Sequence, residues 1–286
     1  MSNLTPPQSG TYEDLIVYAL AEDIGWGDIT TDNLDLPAEP VKAELITRQD
    51  CILAGWSVFV RVFLLIDESV MVDDFKPQYD DGDEVPKNEV IASMFLPPAT
   101  LLKGERVALN FLTHMSGIAT MTNRFVKMAG PEGPSISDTR KTLPGLRALQ
   151  KYAVKAGGGM NHRLSLSHAV MIKNNHIALA GGITNAVKQV KRGAGHTVKI
   201  EVEASDFEDV KEALAAGVDV IMLDNFSVED AAKAIKIIDR RVMVELSGGI
   251  NEKNISQFAL VGADVISIGA LTHSAKAIDM AIHTAG

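Results

Sequence analysis

Cysteine occurs once in the 286 residues, at Cys51. No intrachain disulfide can form, and a lone thiol suits a reducing compartment. The first fifteen residues, MSNLTPPQSGTYEDL, carry neither a basic leader nor an apolar segment. No secretory signal is therefore expected, and the cytoplasm is the expected location. Long hydrophobic runs are missing as well. The most apolar stretch, SVFVRVFLLI (57–66), is short and broken by Arg61, which argues against a membrane span. Basic residues are in deficit: 27 Lys and Arg against 37 Asp and Glu give a formal charge of −10. Nonspecific nucleic-acid binding usually needs a basic face, so neither nucleic acid nor membrane is an expected partner.

What is present is an ordinary globular composition, 46% hydrophobic and 22% charged, in a chain long enough for one large or two unequal domains. The deficit of basic residues is not uniform. Between Asp138 and Lys173 there are Arg140, Lys141, Arg147, Lys151, Lys155, Arg163 and Lys173 against one acid. Within this region GGGMNHRLSLSHAVMIKNNHI (157–177) has glycines, histidines and cations but no acid at all. Part of that charge belongs to a solvated helix face; the remainder reads as an anion site.

From residue 135 onward, apolar β-branched runs alternate with amphipathic stretches. The runs are 135–139, 168–173, 198–203, 219–224, 242–247 and 264–269; the helical candidates are 144–156, 181–192, 206–216, 228–239, 251–261 and 272–283. Near-continuous apolar strands alternating with helices imply a parallel sheet covered on both faces. No GxGxxG follows the first strand, which favours a barrel-like winding over a dinucleotide-binding fold. Gly157, Gly158 and Gly159 follow a helical candidate and precede a strand. That order suits a helix stop and turn, and is the reverse of a phosphate-binding glycine loop. The first part differs: a short helix over 11–22, short strands between 40 and 101, then a long helix over 104–129. That helix carries Val107, Phe111, Met115, Ile118, Thr122 and Phe125 on one face.

In such barrels the chemistry sits at the C-terminal strand ends. Those ends supply Asp138, Arg140 and Lys141, then Lys173, Glu203, Asp224, Ser247, Gly248 and Gly249, and lastly Gly269 and Ala270; His162 and Arg163 just precede the second strand. Arg140, Lys141, Arg163 and Lys173 suit a substrate with several carboxylates or phosphates. Glu203 and Asp224, one strand apart, suit Mg²⁺ or the hydroxyls of a sugar. SGGI (247–250) and SIGALTHS (267–274), which contains His273, each open a helix where backbone N–H groups can meet a phosphate. Alternatives stand beside these. Glu201 and Glu203 both alternate with valine, so one or both also suit structural carboxylates paired with a barrel lysine; Asp224 shares that alternative. Lys173 also fits a Schiff-base lysine. His162, His168 and His176 lack tight metal-ligand spacing, so no zinc site is expected.

The segment DTRKTLPGLRALQKYAVKAGGGMNHRLSLSHAVMIKNNHI (138–177) closely resembles the signature of the quinolinate phosphoribosyltransferase family. EDIGWGDITT (22–31), GERVALNFLTHMSGIAT (104–120), EVEASDFED (201–209), MLDNF (222–226), LSGGIN (246–251) and IGALTHS (268–274) resemble further family segments, in family order and over nearly the whole chain. Each alone is weak; together they are specific. Asn174 departs from the acid more usual there.

The resemblance implies an α/β enzyme. Its parts would be an N-terminal α+β sandwich domain over 1–116 and an open, roughly six-stranded α/β barrel over 117–286, the last helix packing back on the first domain. It implies joining quinolinate to 5-phosphoribosyl 1-diphosphate with Mg²⁺, giving nicotinate mononucleotide, pyrophosphate and CO₂ in de novo NAD biosynthesis. Arg106 is implied to reach the active site of a neighbouring subunit, so a homodimer or larger assembly is expected. Near the start of the long helix its charge would oppose the helix dipole. Arg106, Arg140, His162, Arg163 and Lys173 are implied to bind quinolinate, with Lys141 shared with the diphosphate or phosphate. Glu203 and Asp224 would position ribose and metal, which makes Lys141, Lys173, Glu203 and Asp224 the expected catalytic set. Ser247, Gly248, Gly249, Gly269, Ala270 and His273 would anchor the 5-phosphate. Two other outcomes remain: a homologue of the same fold associated with molybdenum transport, and a noncatalytic anion-binding protein.

Overall fold

The structure is a computed structural model that describes residues 4–284. In chain order its elements are α1 (Glu13–Ile24), β1 (Val41–Thr47), β2 (Cys51–Ile52), α2 (Trp56–Ile66), β3 (Phe75–Pro77), β4 (Glu84–Val85), β5 (Val90–Leu96) and α3 (Pro98–Ala129). There follow β6 (Ser135–Ser137), α4 (Arg147–Ala156), β7 (Val170–Ile172), α5 (Asn174–Ala180), α6 (Ile183–Gly193), β8 (Ile200–Ala204) and α7 (Phe207–Ala216). The chain ends with β9 (Val220–Asp224), α8 (Val228–Ile238), β10 (Met243–Ser247), α9 (Ile255–Phe258), β11 (Val265–Ser267), α10 (Ala270–His273) and β12 (Met280–Thr284). Two compact units result. One takes the chain up to 123, then 142–158 and the segment from 271; the other holds 124–141 and 159–270.

The first unit is built on an antiparallel sheet, β12-β1-β5-β3. Alternation sets its buried face: Ala43, Leu45 and Thr47 of β1 are fully buried while their neighbours are not. The apolar run 57–66 lies in α2. Its Phe59 stacks on Trp56 at 5.3 Å and meets Phe63 edge-on at 5.3 Å, which in turn lies 5.8 Å from Phe75. The interrupting Arg61 is used, donating to Glu13 Oε2 of α1 at 2.7 Å. Among the described residues no helix is long and apolar enough to cross a membrane. In α3 the expected apolar face is buried, but the helix begins six residues early, at Pro98, whose missing N–H costs nothing at a helix start. Arg106 is therefore exposed in the third turn, beyond the reach of the helix-end dipole, and the opposition expected there falls away.

Two helical expectations in this unit need correction. The helix expected over 144–156 starts only at Arg147, because Gly145 takes a positive φ of 78°. The helix expected over 272–283 is a four-residue turn, α10, followed by strand β12 on the edge of β1. An extended chain is what the packing accepts there: a Cβ on Gly117 of α3 would lie 2.1 Å from the Lys276 carbonyl oxygen. The triple glycine acts as the expected stop, by two means. Gly158 supplies a positive φ of 85°, and a Cβ on Gly157 would lie 2.3 Å from the Ala119 carbonyl oxygen.

The second unit is a parallel six-stranded sheet in the order β6-β11-β10-β9-β8-β7. The first strand of the unit pairs with the last, as in a barrel, and the winding is open only between β6 and β7. Met160 makes a single parallel bridge to Ser137 on the free edge of β6. Helices close each step with local signals: the Asp206 carboxylate accepts the Glu208 and Asp209 N–H groups, and Ser227 caps α8 through the Asp230 N–H. Cross-strand register puts Glu203 beside Met222, and Met222 beside Glu245, on one face. On that face residues recur every second position, so Glu201 lies beneath Glu203, Met222 beneath Asp224, and Glu245 beneath Ser247.

Candidate active site

A cavity of about 290 Å³ opens at the C-terminal strand ends of the second unit. After β6 it receives Thr139, Arg140 and Lys141; the loop before β7 adds His162 and Arg163; the β7 end adds Met171 and Lys173. Glu203, Met222, Asp224, Ser247 and Ser267 complete it. Eight residues expected from sequence thus meet in one place: Arg140, Lys141, His162, Arg163, Lys173, Glu203, Asp224 and Ser247. Gly248, Gly249, Gly269 and Ala270 follow strand ends without lining it, and Arg106 and His273 belong to the first unit.

The electrostatics are those of an anion site with an acidic side. Lys173 pairs with Glu203, as the continuation of the Ile172–Val202 register brings them side by side. Burial, together with the adjacent Arg140 charge, pulls the Arg163 guanidinium below its usual range. Two guanidinium groups lining one cavity favour an anion between them. Asp224 is pushed up, by burial first and then by the Glu203 charge; Asn225, Lys173 and Lys141 oppose the rise. A carboxyl raised by the charge of a neighbouring carboxylate is suited to a divalent cation with oxygen ligands. Glu203 and Asp224 therefore fit Mg²⁺.

Several residues that hold the site were given no role in it from sequence. Asp138 is fully buried and clamps the loop: its carboxylate accepts the His162 N–H at 2.9 Å and Asn161 Nδ2–H at 2.7 Å. Asn225 sits at φ 58°, donates Nδ2–H to Asp224 at 2.8 Å and its backbone N–H to the Ser247 carbonyl at 2.9 Å. Its side chain is why position 248 is glycine, since a Cβ there would lie 2.3 Å from Asn225 Oδ1. Asn174, at the departure noted above, accepts from Ser205 Oγ at 3.2 Å, and His176 Nδ1 accepts the Lys173 N–H at 3.0 Å. Glu245, 5% exposed beneath Ser247, is the acid missed entirely.

The phosphate reading needs a correction. SGGI does not open a helix: α9 begins only at Ile255 and has four residues, as does α10 after Gly269. Helices so short have little dipole to offer. What the SGGI turn does offer is backbone, since Gly249 takes φ 65° with no atom within 4 Å of a Cβ position.

Comparison with known proteins follows the same lines. Residues 28–116 match the family model described as quinolinate phosphoribosyl transferase, N-terminal domain, and residues 118–283 match its C-terminal domain. The chain is 44% identical over 268 residues to a Bacillus subtilis protein named "Probable nicotinate-nucleotide pyrophosphorylase (carboxylating)", covering 94% of this chain and 91% of that one. The structure of NadC from Streptococcus pyogenes superposes with a TM-score of 0.93 at 40% identity, covering 99% of this chain and 100% of that one. The nicotinate-nucleotide pyrophosphorylase of Francisella tularensis superposes with a TM-score of 0.93 at 37% identity and full coverage of both. This chain belongs to the quinolinate phosphoribosyl transferase family.

Proposed function

We propose that this chain is a carboxylating nicotinate-nucleotide pyrophosphorylase, transferring phosphoribosyl from 5-phosphoribosyl 1-diphosphate to quinolinate in NAD biosynthesis. The observation that carries it is the meeting of Arg140, Lys141, Arg163 and Lys173 with Glu203 and Asp224 in one cavity. Quinolinate brings two adjacent carboxylates, which the two guanidiniums and the Lys173 ammonium orient and whose lost hydration they offset. Met171 and Met222 offer an apolar surface to the pyridine ring. Lys141 takes the diphosphate, and the SGGI turn with Gly269 and Ala270 takes the 5-phosphate.

The ring nitrogen lone pair forms the bond to ribose C1, and the C1–O bond breaks with its electrons leaving on pyrophosphate. Positive charge develops at C1 in between, and Glu203 and Asp224 favour it electrostatically while holding the ribose hydroxyls. The quaternised ring then draws in the electron pair of the neighbouring C–CO₂⁻ bond; CO₂ departs and that carbon takes a proton. Glu203 and Asp224 would also hold Mg²⁺, which when bound supplies charge neutralisation for the diphosphate. Mere anion binding has no use for the two acids, which repel the ligand. A Schiff-base role needs a neutral amine, whereas Lys173 is paired with Glu203.

The proposal extends to a homodimer in which Arg106, exposed on α3, completes the cavity of the partner copy. Mixing inactive Arg106→Ala and Lys173→Ala proteins is then expected to restore about a quarter of wild-type activity, since half the dimers are mixed and each has one intact site. No recovery after proven subunit exchange contradicts the shared site. Protein given quinolinate, 5-phosphoribosyl 1-diphosphate and Mg²⁺ should release nicotinate mononucleotide, pyrophosphate and CO₂ in equal amounts. Quinolinate binding without nucleotide formation would leave only the anion-binding alternative.

A further inference from the structure

Beneath the cavity, His162 of the β6–β7 loop meets two acids of the barrel interior. Its Nε2 lies 3.2 Å from Glu201 Oε2 and 3.6 Å from Glu245 Oε2. All three side chains are enclosed, His162 at 12% exposure, Glu201 at 8% and Glu245 at 6%. The two carboxylates each have a second oxygen, Oε1, that is buried with no hydrogen-bond partner. One nitrogen and two carboxylate oxygens within 4.8 Å of one another are a geometry that a divalent metal could use. The other ring nitrogen decides against it. Nδ1 accepts the backbone N–H of Arg163 at 2.7 Å, so Nδ1 presents its lone pair and the ring proton sits on Nε2. An N–H aimed at two carboxylates has no lone pair to give a metal; it donates to Glu201 at 3.2 Å, with Glu245 just beyond hydrogen-bond reach at 3.6 Å.

Both nitrogens are thus committed to the protein. The backbone is held at the same point, because the His162 N–H donates to Asp138 Oδ1 at 2.9 Å. The next residue, Arg163, is fixed at its far end by Nη1 donating to the Ala169 carbonyl at 3.0 Å. We propose that His162 is a positioning residue of the dicarboxylate site and not one of its ligands. Its imidazole, held between Glu201, Glu245 and the Arg163 backbone, fixes where the Arg163 guanidinium stands opposite Arg140. This deepens the functional reading above and rests on it for the identity of the ligand. It also gives Glu201 and Glu245 a purpose: Glu201 accepts from the imidazole, Glu245 stands against it, and both hold the orientation of the ring.

Nitrogen-15 NMR of protein labelled at histidine reads the tautomer directly, with His162→Gln assigning the resonance. In the free protein His162 is expected as the neutral Nε2–H form, and saturating quinolinate leaves that form in place. Conversion to imidazolium or to the Nδ1–H form when quinolinate binds would overturn the proposal, as would displacement of the Nε2 proton by added Zn²⁺. Calorimetric titration of the same sample with quinolinate separates the two levels. Absence of binding sinks the ligand assignment, while the tautomer of the free protein still tests the geometry. Kinetics supply a second arm. Glu201→Ala should raise the quinolinate KM about tenfold with little loss of kcat, and Glu201→Gln, which keeps an acceptor oxygen, should recover most of that loss. Equal impairment in both variants, or a fall confined to kcat, contradicts positioning through the imidazole.

Discussion

Glu203 and Glu201 lie two residues apart on one face of β8, and their surroundings give the same side chain two uses. Glu203 lines the cavity and pairs with a Lys173 side chain that is 46% exposed. Glu201 faces His162 and Glu245 in the enclosed interior. At the mouth, the repulsion between Glu203 and Asp224 can be relieved by an incoming cation or by the positive charge that grows on the substrate. On the floor nothing enters. There burial first, and the Glu201 charge second, push the Glu245 carboxyl up to about 7, with His162 opposing. The mouth presents its charges to whatever enters the cavity; on the floor, burial favours the protonated Glu245 carboxyl, and Glu201 holds the imidazole of the loop.

The comparison is most strongly tested at the mouth. Glu203→Gln should lower kcat by about two to three orders of magnitude, since it removes charge where the transition state develops it; steady-state nucleotide formation measures this. A loss no larger than that of Glu201→Gln would erase the distinction. Next in size, Arg163→Lys should raise the quinolinate KM by about ten- to a hundredfold, because a point charge cannot replace a planar fork between two carboxylates. Smaller still is Gly248→Ala, expected to cost roughly 1–3 kcal/mol of stability through its positive φ and the clash with Asn225. Adding Asn225→Ala should return part of the lost melting temperature, and no return would mean that only the backbone term matters.

The smallest effect belongs to the floor. The folded-state pKa of Glu245 lies above its ordinary 4.5, so between 4.5 and about 7 the native protein binds more protons than the unfolded chain. Stability from this group is full below that window and is lost as pH rises through it. Glu245→Gln removes the dependence. Its melting temperature relative to wild type should be a few degrees more favourable at pH 8 than at pH 5. A difference that is flat with pH, or of opposite sign, would put the charge back on Glu245.

The barrel was legible because each strand is a short apolar run, and its cavity opens at the strand ends, where several charged residues stand. Lys173, Glu203 and Asp224 could be read off for that reason alone. The floor was not legible. Glu245 stands two residues before Ser247 inside a strand, and no sequence spacing ties it to Glu201 or His162, which reach it through two other segments. The strand β12 escaped for a different reason. Its apolar residues suit a helix as well as a strand, and the choice is made by the open edge of β1 and the close approach at Gly117. Likewise, whether SGGI would start a helix depended on Asn251 and Asn254, whose side chains both donate to the Gly249 carbonyl and hold the turn open for several residues.

The central claim is that the mouth is built for two carboxylates, and equilibrium binding of quinolinate against nicotinate, which has one, tests it most directly. Titration of the protein with each ligand in the absence of 5-phosphoribosyl 1-diphosphate should give quinolinate an affinity at least about tenfold higher, the worth of one further charge-assisted contact. That preference should collapse in Arg163→Leu. Equal affinities for the two ligands, or a preference that survives loss of Arg163, would contradict the account.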